Sequence, residues 1–309
     1  MRLAVALCTW LLAGFAAAQT PAVIAAGVLV HAGALEDWGP ANGGDVANLG
    51  AIEGERCLAV IDSGGSLAVG RAWRKQLQAA TPKPVCWVIN THAHPDHVLG
   101  NAAFRGAGPG GADPVFVGHA RLPAALAARS PYYLNALARD FGAAAEPTEI
   151  IAPTQTVAPG TPRTLDLGGR EIVLQAWPTA HTDADLSVFD PASGTLFAGD
   201  LLFVEHLPAL DGKLMGWLGV MDALAQRRDV RIAVPGHGAV QRDWPAALAP
   251  QRRYLEGLRD GVREALRANR PLAETVDRLA DKGIDGWRLT ERFHKRNVTA
   301  AFAELEWSD

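Results

Sequence analysis

Past its first eighteen residues the sequence has no apolar run long enough to cross a bilayer, which takes about 20 residues in succession. It has no basic stripe of the kind that follows a phosphate backbone, no tandem repeat and no low-complexity tract. It has only three cysteines in 309 residues. It also lacks a G-x-S-x-G elbow, so nothing signals a serine nucleophile. These absences leave no membrane span and argue against a nucleic-acid partner. What remains, 49% hydrophobic and 20% charged, suits a globular protein with ample core.

Residues 1–18 stand apart. Arg2 supplies a positive start, residues 3–15 a short apolar run, and Ala16, Ala17 and Ala18 small residues for cleavage. This pattern predicts a secretory signal peptide, and hence a periplasmic or secreted protein. Cys8 lies inside the apolar run, which argues against a lipid anchor. Removal of the segment takes away Arg2 and no acid, so the formal charge moves from −4 to −5. Two cysteines remain. Cys57 precedes the turn at Asp62 by about the distance at which Cys86 precedes His92, which predicts matching heights on neighbouring strands. An oxidising compartment permits a disulfide there, and two buried thiols are the other reading.

The chain is organised around residues 85–99, V-C-W-V-I-N-T-H-A-H-P-D-H-V-L. Its first five residues are apolar and mostly β-prone, which predicts a buried strand. A polar turn follows, and within six residues it presents His92, His94, Asp96 and His97. Imidazole nitrogen and carboxylate oxygen are donors that zinc accepts at roughly 2 Å. His92 and His94 are two apart, so extended backbone points both rings the same way. Pro95 turns the chain and sends Asp96 and His97 toward a second point. Four such groups on one short loop suggest two metals.

Ahead of this loop, residues 46–52 and 57–61 read as strands. Ser66 is a candidate N-cap for a helix over 67–80. Strand, helix and strand then have the spacing of a βαβ crossover with parallel neighbours. Beyond the loop come a short helix through Asn101 and Phe104 and a brief strand at 115–117. A helix over 122–141 is expected to break at Ser130-Pro131. Residues 143–162, rich in Ala, Pro and Thr, read as a hinge between two halves. Hairpins follow, 164–167 with 171–177 and 186–189 with 195–198. A buried strand at 230–234 and a helical end over 244–307 complete the chain. Sheets followed by helices in two successive halves suggest an α/β protein with two β-sheets face to face and helices outside.

Three further strand ends carry ligand-type residues among small neighbours: His181 in T-A-H-T, Asp200 in A-G-D and His237 in P-G-H-G. Each alone reads as an ordinary turn residue. Together with the first loop they make five histidines and two aspartates where strands become loops.

The H-x-H-x-D-H run after a strand resembles the signature of the metallo-β-lactamase-fold hydrolases. His181, Asp200 and His237 in that order extend the resemblance over nearly the whole mature chain. It implies an αββα sandwich over residues 19–309 as one domain. It further implies one metal on His92, His94 and His181 and a second on Asp96, His97 and His237, with Asp200 bridging. Asp62, in I-D-S-G, matches an aspartate that orients a ligand in these families. The chemistry implied is hydrolysis of an ester, thioester or amide of a small-molecule substrate by a hydroxide shared between two divalent ions, zinc foremost. Asp96 would also be catalytic, orienting the hydroxide or shuttling its proton. Nitrogen and oxygen donors suit manganese or iron as well. Residues 44–48, 199–203 and 297–307 most resemble exported members called quinoprotein relay system zinc metallohydrolases, which implies a periplasmic quinoprotein dehydrogenase as partner.

Other readings stand beside this one. β-Lactamases of the three-histidine, aspartate-cysteine type carry cysteine where this chain has Asp200. Persulfide dioxygenases of the same fold use one iron, against the complete second set here. A non-enzymatic metal-binding accessory protein is the third. Of the remaining histidines, His31 and His294 read as surface or packing residues, and His119 as a capped surface histidine near the site. His206 lies in a loop with Glu205, Asp211 and Lys213 that is a candidate pocket wall without an assigned role.

Overall fold

The structure, a computed structural model, describes residues 20–142 and 145–307; the expected signal peptide lies outside the described residues. Seven strands make the first sheet in sequence order: β1 (Ala22–Ala25), β2 (Val28–His31), β3 (Leu49–Glu53), β4 (Leu58–Ile61), β5 (Val85–Ile89), β6 (Val115–His119) and β7 (Gln155–Val157). The first four are antiparallel, and β4 through β7 run parallel. The second sheet has the order β12-β11-β10-β9-β8, from β8 (Arg163–Asp166), β9 (Glu171–Ala176), β10 (Leu186–Asp190), β11 (Thr195–Phe203) and β12 (Ile232–His237). Only β11 and β12 pair in parallel there.

Alternation along the strands builds the layers, because successive side chains point to opposite faces. In β4, Ala59 and Ile61 face the second sheet and pack with Ile172, Leu174, Val188 and Phe197. Leu58 and Val60 face outward onto α1 (Leu67–Ala80), against Trp73 and Leu77. The second sheet is two-sided in the same way. Leu196 and Ala198 of β11 pack outward beneath α4 (Leu214–Ala225), α5 (Ala249–Arg267) and, near the C-terminus, α7 (Thr290–Leu305). Strands covered on both faces are apolar along most of their length, as β4, β10 and β11 are. The result is helices, sheet, sheet, helices. Ser66 caps α1 as expected, its Oγ accepting from the Val69 N–H at 3.2 Å.

The structure departs from the sequence reading at four places. The helix α3 (Leu122–Phe141) runs unbroken through Pro131, and Ser130 Oγ–H donates back to Leu126 O one turn earlier. The segment read as a hinge contributes β7 to the first sheet. β11 continues past Asp200 to Phe203, so Asp200 sits within a strand at a break in its register with β12. β12 likewise runs on to His237. The two cysteines lie beside each other as expected, Cys57 just before β4 and Cys86 in the parallel β5, and they are disulfide-bonded with Cα atoms 5.7 Å apart. Among the described residues no helix is long and apolar enough to cross a membrane.

Candidate metal centre

The seven ligand-type side chains converge at one end of the sandwich. His92 and His94 lie in the turn after β5, and Pro95 opens the single turn α2 (Pro95–Val98) that presents Asp96 and His97. His181 follows β9, and Asp200 and His237 come from the adjacent β11 and β12. His92, His94, His181 and Asp200 form one group, and Asp96, His97 and His237 a second; within each, candidate donor atoms lie within 4.8 Å of one another. Asp200 reaches both. Its Oδ2 is 3.3 Å from His181 Nε2 and 3.5 Å from His237 Nε2, and its Oδ1 is 3.2 Å from His97 Nε2. Gly236 makes room for this, since a Cβ there would stand 1.8 Å from Asp200 Oδ1.

Each ring is tied down by one nitrogen, which leaves the other to face the centre. His97 Nδ1–H donates to Asp62 Oδ2 at 2.8 Å, His181 Nδ1–H to Ala209 O at 2.6 Å, and His237 Nδ1–H to Val46 O at 2.9 Å. Thr91 Oγ1–H donates to Asp62 Oδ2 at 2.7 Å, so its oxygen can only accept from His92 Nδ1–H, 3.0 Å away. His94 is turned the other way: Nε2–H donates to Asp211 Oδ2 at 3.2 Å, and Nδ1 faces His181 Nε2 at 3.1 Å. This pattern fixes tautomer and ring direction as metal-binding histidines require. Asp62 is held in the left-handed region, at φ 57°, and also accepts from the Thr91 N–H at 2.8 Å. It thereby clamps both ends of the loop.

The electrostatics divide the rings. Burial, together with the neighbouring His97, holds His92 well below the ordinary imidazole pKa. Burial also brings His181 down to about 4, against the pull of Asp200. At His97 and His237 burial acts downward too, but Asp200 and Asp96 outweigh it, raising His97 well above its ordinary value and His237 to about 9. Burial alone would raise the two carboxylates. His237 and His97 instead hold Asp200 well below the carboxylate range, and His97 and His237 do the same for Asp96.

Three buried atoms at the centre, His92 Nε2, His97 Nε2 and Asp200 Oδ1, have no hydrogen-bond partner. Two lone pairs, on His94 Nδ1 and His181 Nε2, face each other. Orphaned buried groups of this kind are costly unless something satisfies them. Cations with nitrogen and oxygen preference answer every one of them, so the residues fit a pair of divalent metals.

The centre opens into a cavity of about 440 Å³. Arg129 and Tyr133 of α3, Phe293 of α7, Trp38, and His206 and Asp211 from the loop after β11 are among its walls. The sequence reading gave Asp211 no role; it holds His94 and also accepts from Arg129 at 3.1 Å. Asn48 was passed over as well, and its Nδ2 donates to Pro235 O and Gly238 O on either side of His237. Its place in the G-D-V-A-N stretch was the available signal. Lys213 caps α4 outside the cavity lining. His119 is not at the surface: it is buried, with Nε2–H donating to Trp177 O and Nδ1 accepting from Arg121 N–H. His31 and His294 are packing residues, bonded to Asp45 and to Tyr254 and Leu279 respectively.

This fold and this cluster define a metallohydrolase-like architecture. The chain belongs to the metallo-beta-lactamase superfamily, whose family model matches residues 42–237. No curated protein matches it in sequence. Among solved structures it is similar to the stereoselective inverting sec-alkylsulfatase Pisa1 from Pseudomonas sp., at 16% identity and TM-score 0.68, over 91% of this chain and 49% of that one. It therefore spans about half the length of the alkylsulfatase. It is also similar to a metallo-beta-lactamase from Pontibacter korlensis, at 19% identity and TM-score 0.60, over 76% of this chain and 98% of that one. The metallo-beta-lactamase FIM-1 from Pseudomonas aeruginosa, in its mono-zinc form, matches at 20% identity and TM-score 0.57, over 78% and 98%. At these identities the likeness is one of fold.

Proposed function

We propose that this chain is an exported hydrolase that holds two divalent ions, zinc foremost, on His92, His94, Asp96, His97, His181, Asp200 and His237. The observation that carries the reading is the convergence of two ligand groups, sharing Asp200, at the floor of a cavity large enough for a small molecule. Divalent ions held there supply Lewis acidity and a water whose pKa is lowered toward neutrality. The chain's own residues do the rest. The five ring tethers keep the donors in place without rearrangement. Asp96, at the cavity wall and 3.2 Å from His237 Nε2, is placed to accept and pass on a proton at its carboxylate. Trp38, Tyr133 and Phe293 give the cavity an apolar body, which limits competing water. The Cys57–Cys86 disulfide accords with an oxidising compartment and thus with export.

The substrate on this reading is an ester, thioester or amide. A carboxylate at Asp200 weighs against β-lactamases of the three-histidine, aspartate-cysteine type, and the complete second group weighs against a single-iron oxygenase. The resemblance of residues 44–48, 199–203 and 297–307 to exported quinoprotein relay system zinc metallohydrolases supports a periplasmic quinoprotein dehydrogenase as partner. The test is a panel of esters, thioesters and amides on metal-quantified protein, with Asp200→Ala as the metal-dead control. Turnover that rises with metal content and vanishes in the control is expected. Full metal content without turnover of any member would leave a metal-binding accessory protein in its place.

A further inference from the structure

His206 is the one histidine at the cavity that neither ligand group uses. It is buried, 3% exposed, and its ring packs between Phe203, Phe293 and the candidate ligand His237, with the His206 and His237 centroids 4.7 Å apart. Its Nδ1–H donates to Leu207 O at 2.7 Å. Nε2 therefore carries a lone pair, and among the described residues it has no hydrogen-bond partner while His206 lines the cavity.

The backbone that sets this ring in place is constrained from three sides. Glu205 is in the left-handed region, at φ 62°, inside a tight turn closed by His206 N–H to Val204 O at 2.7 Å. A non-glycine residue held so is strained and persists where its surroundings demand it. Arg288 supplies one demand, donating its N–H to Glu205 O at 2.7 Å and accepting from Leu207 N–H at 3.0 Å. β12 supplies another, with Val204 N–H donating to His237 O at 3.0 Å. Gly238 allows that approach, because a Cβ there would stand 2.0 Å from Val204 O. The fold thus commits strain and four backbone bonds to placing an acceptor atom beside the second candidate ligand group.

We propose that His206 Nε2 accepts a hydrogen bond from the substrate, so that the site selects acyl compounds carrying a hydrogen-bond donor beside the reacting carbonyl. The word substrate rests on the hydrolase reading; the recognition itself does not. A buried acceptor left unpaired by a ligand that lacks the donor penalises that ligand, and sites of this type discriminate by roughly tenfold or more.

The test pairs probes that differ only in a hydroxyl: mandelate against phenylacetate for binding, and their methyl esters for turnover. On zinc-loaded protein, calorimetry should give mandelate at least tenfold the affinity of phenylacetate. In His206→Phe, which keeps the ring packing and removes the acceptor, that ratio should fall toward one, and His206→Gln should recover part of it. Nitrogen-15 NMR of the unaltered protein reads the same event without a variant, as a shift of His206 Nε2 on adding mandelate that phenylacetate does not cause. Equal affinities in the unaltered protein, an unchanged ratio in His206→Phe or a motionless Nε2 signal would each overturn the proposal. Discrimination in binding with no turnover of either ester would support it independently of the hydrolase reading, which the wider panel tests. Turnover of both esters without discrimination would overturn it and leave the hydrolase reading standing.

Discussion

Gly236 and Asp200 belong to neighbouring strands, and the 1.8 Å that a Cβ would leave between them is far below any contact real atoms make. β11 holds the Asp200 backbone on both sides of the irregularity, so the carboxylate itself would have to turn aside. Gly236→Ala should therefore displace Asp200 and lower metal content toward that of Asp200→Ala, below about one ion per chain after dialysis, where the unaltered protein should keep about two. Gly219→Ala, at a helical position with open space around it, is the control and should keep both ions. Elemental analysis decides. Full occupancy in Gly236→Ala would mean that Asp200 does not bridge. Single residues matter this much here because the centre is a crowded meeting of four loops and strands.

At the scale of elements, β4 and β5 carry the site between them. β4 leads into Asp62, β5 leads into the candidate ligand loop, and the disulfide lies at the opposite end of the same pair. In the chain-entropy account a bond spanning 29 residues restrains the unfolded chain by roughly 3–4 kcal/mol. Replacing both Cys57 and Cys86 with alanine should cost about that much in urea unfolding, and the protein that stays folded should keep its metal, because the ligand loop is also held by Asp62, Thr91 and the β4–β5 ladder. A loss under about 1 kcal/mol would place the restraint elsewhere. The α3 helix is the contrasting case. Pro131 in the sequence argues for a break, yet the buried face of the helix, with Leu122, Leu126, Tyr133 and Leu137, runs on through it and sets Tyr133 in the cavity wall.

For the whole molecule the charge division at the centre sets how metal uptake depends on pH. Without a cation, His237 with its pKa near 9 and His97 above its ordinary value are protonated at neutral pH, while His92 and His181 are not. Filling the Asp96, His97 and His237 group must expel those protons, so its affinity should climb as pH rises toward 9, whereas His92 and His181, already unprotonated, have none to release. Calorimetry near pH 7.5 in buffers of different ionisation heat should report roughly two protons released, most of them with the second ion. The stability of the metal-free protein has the opposite slope. Groups whose folded pKa is raised contribute most below their unfolded value near 6.5, and that contribution disappears as pH rises through about 9. Proton release that is equal for both ions would contradict this division.

The sequence by itself determined what local pattern can carry: the buried strand before H-x-H-x-D-H, the capped helix α1, the parallel β4–β5 pair with its cysteines side by side, the hairpins of the second sheet, and the residue types of the seven ligand candidates. These follow from periods of two and 3.6 and from capping and turn chemistry, all of which act over a few residues. Only the tertiary structure decided which ring nitrogen faces the centre. His237 is aimed by Val46 O and His181 by Ala209 O, and a backbone carbonyl leaves no residue type to read. His94 is aimed by Asp211, 117 positions away. Asp200 reads as the close of a strand and lies within one, because the partner β12 extends the ladder past it. His119 has the sequence of a surface residue and is buried, since Trp177 from the other sheet supplies its acceptor. Donors and acceptors in this site are paired by the approach of two sheets, and that distance is set by the packed core between them, not by any stretch of chain read alone.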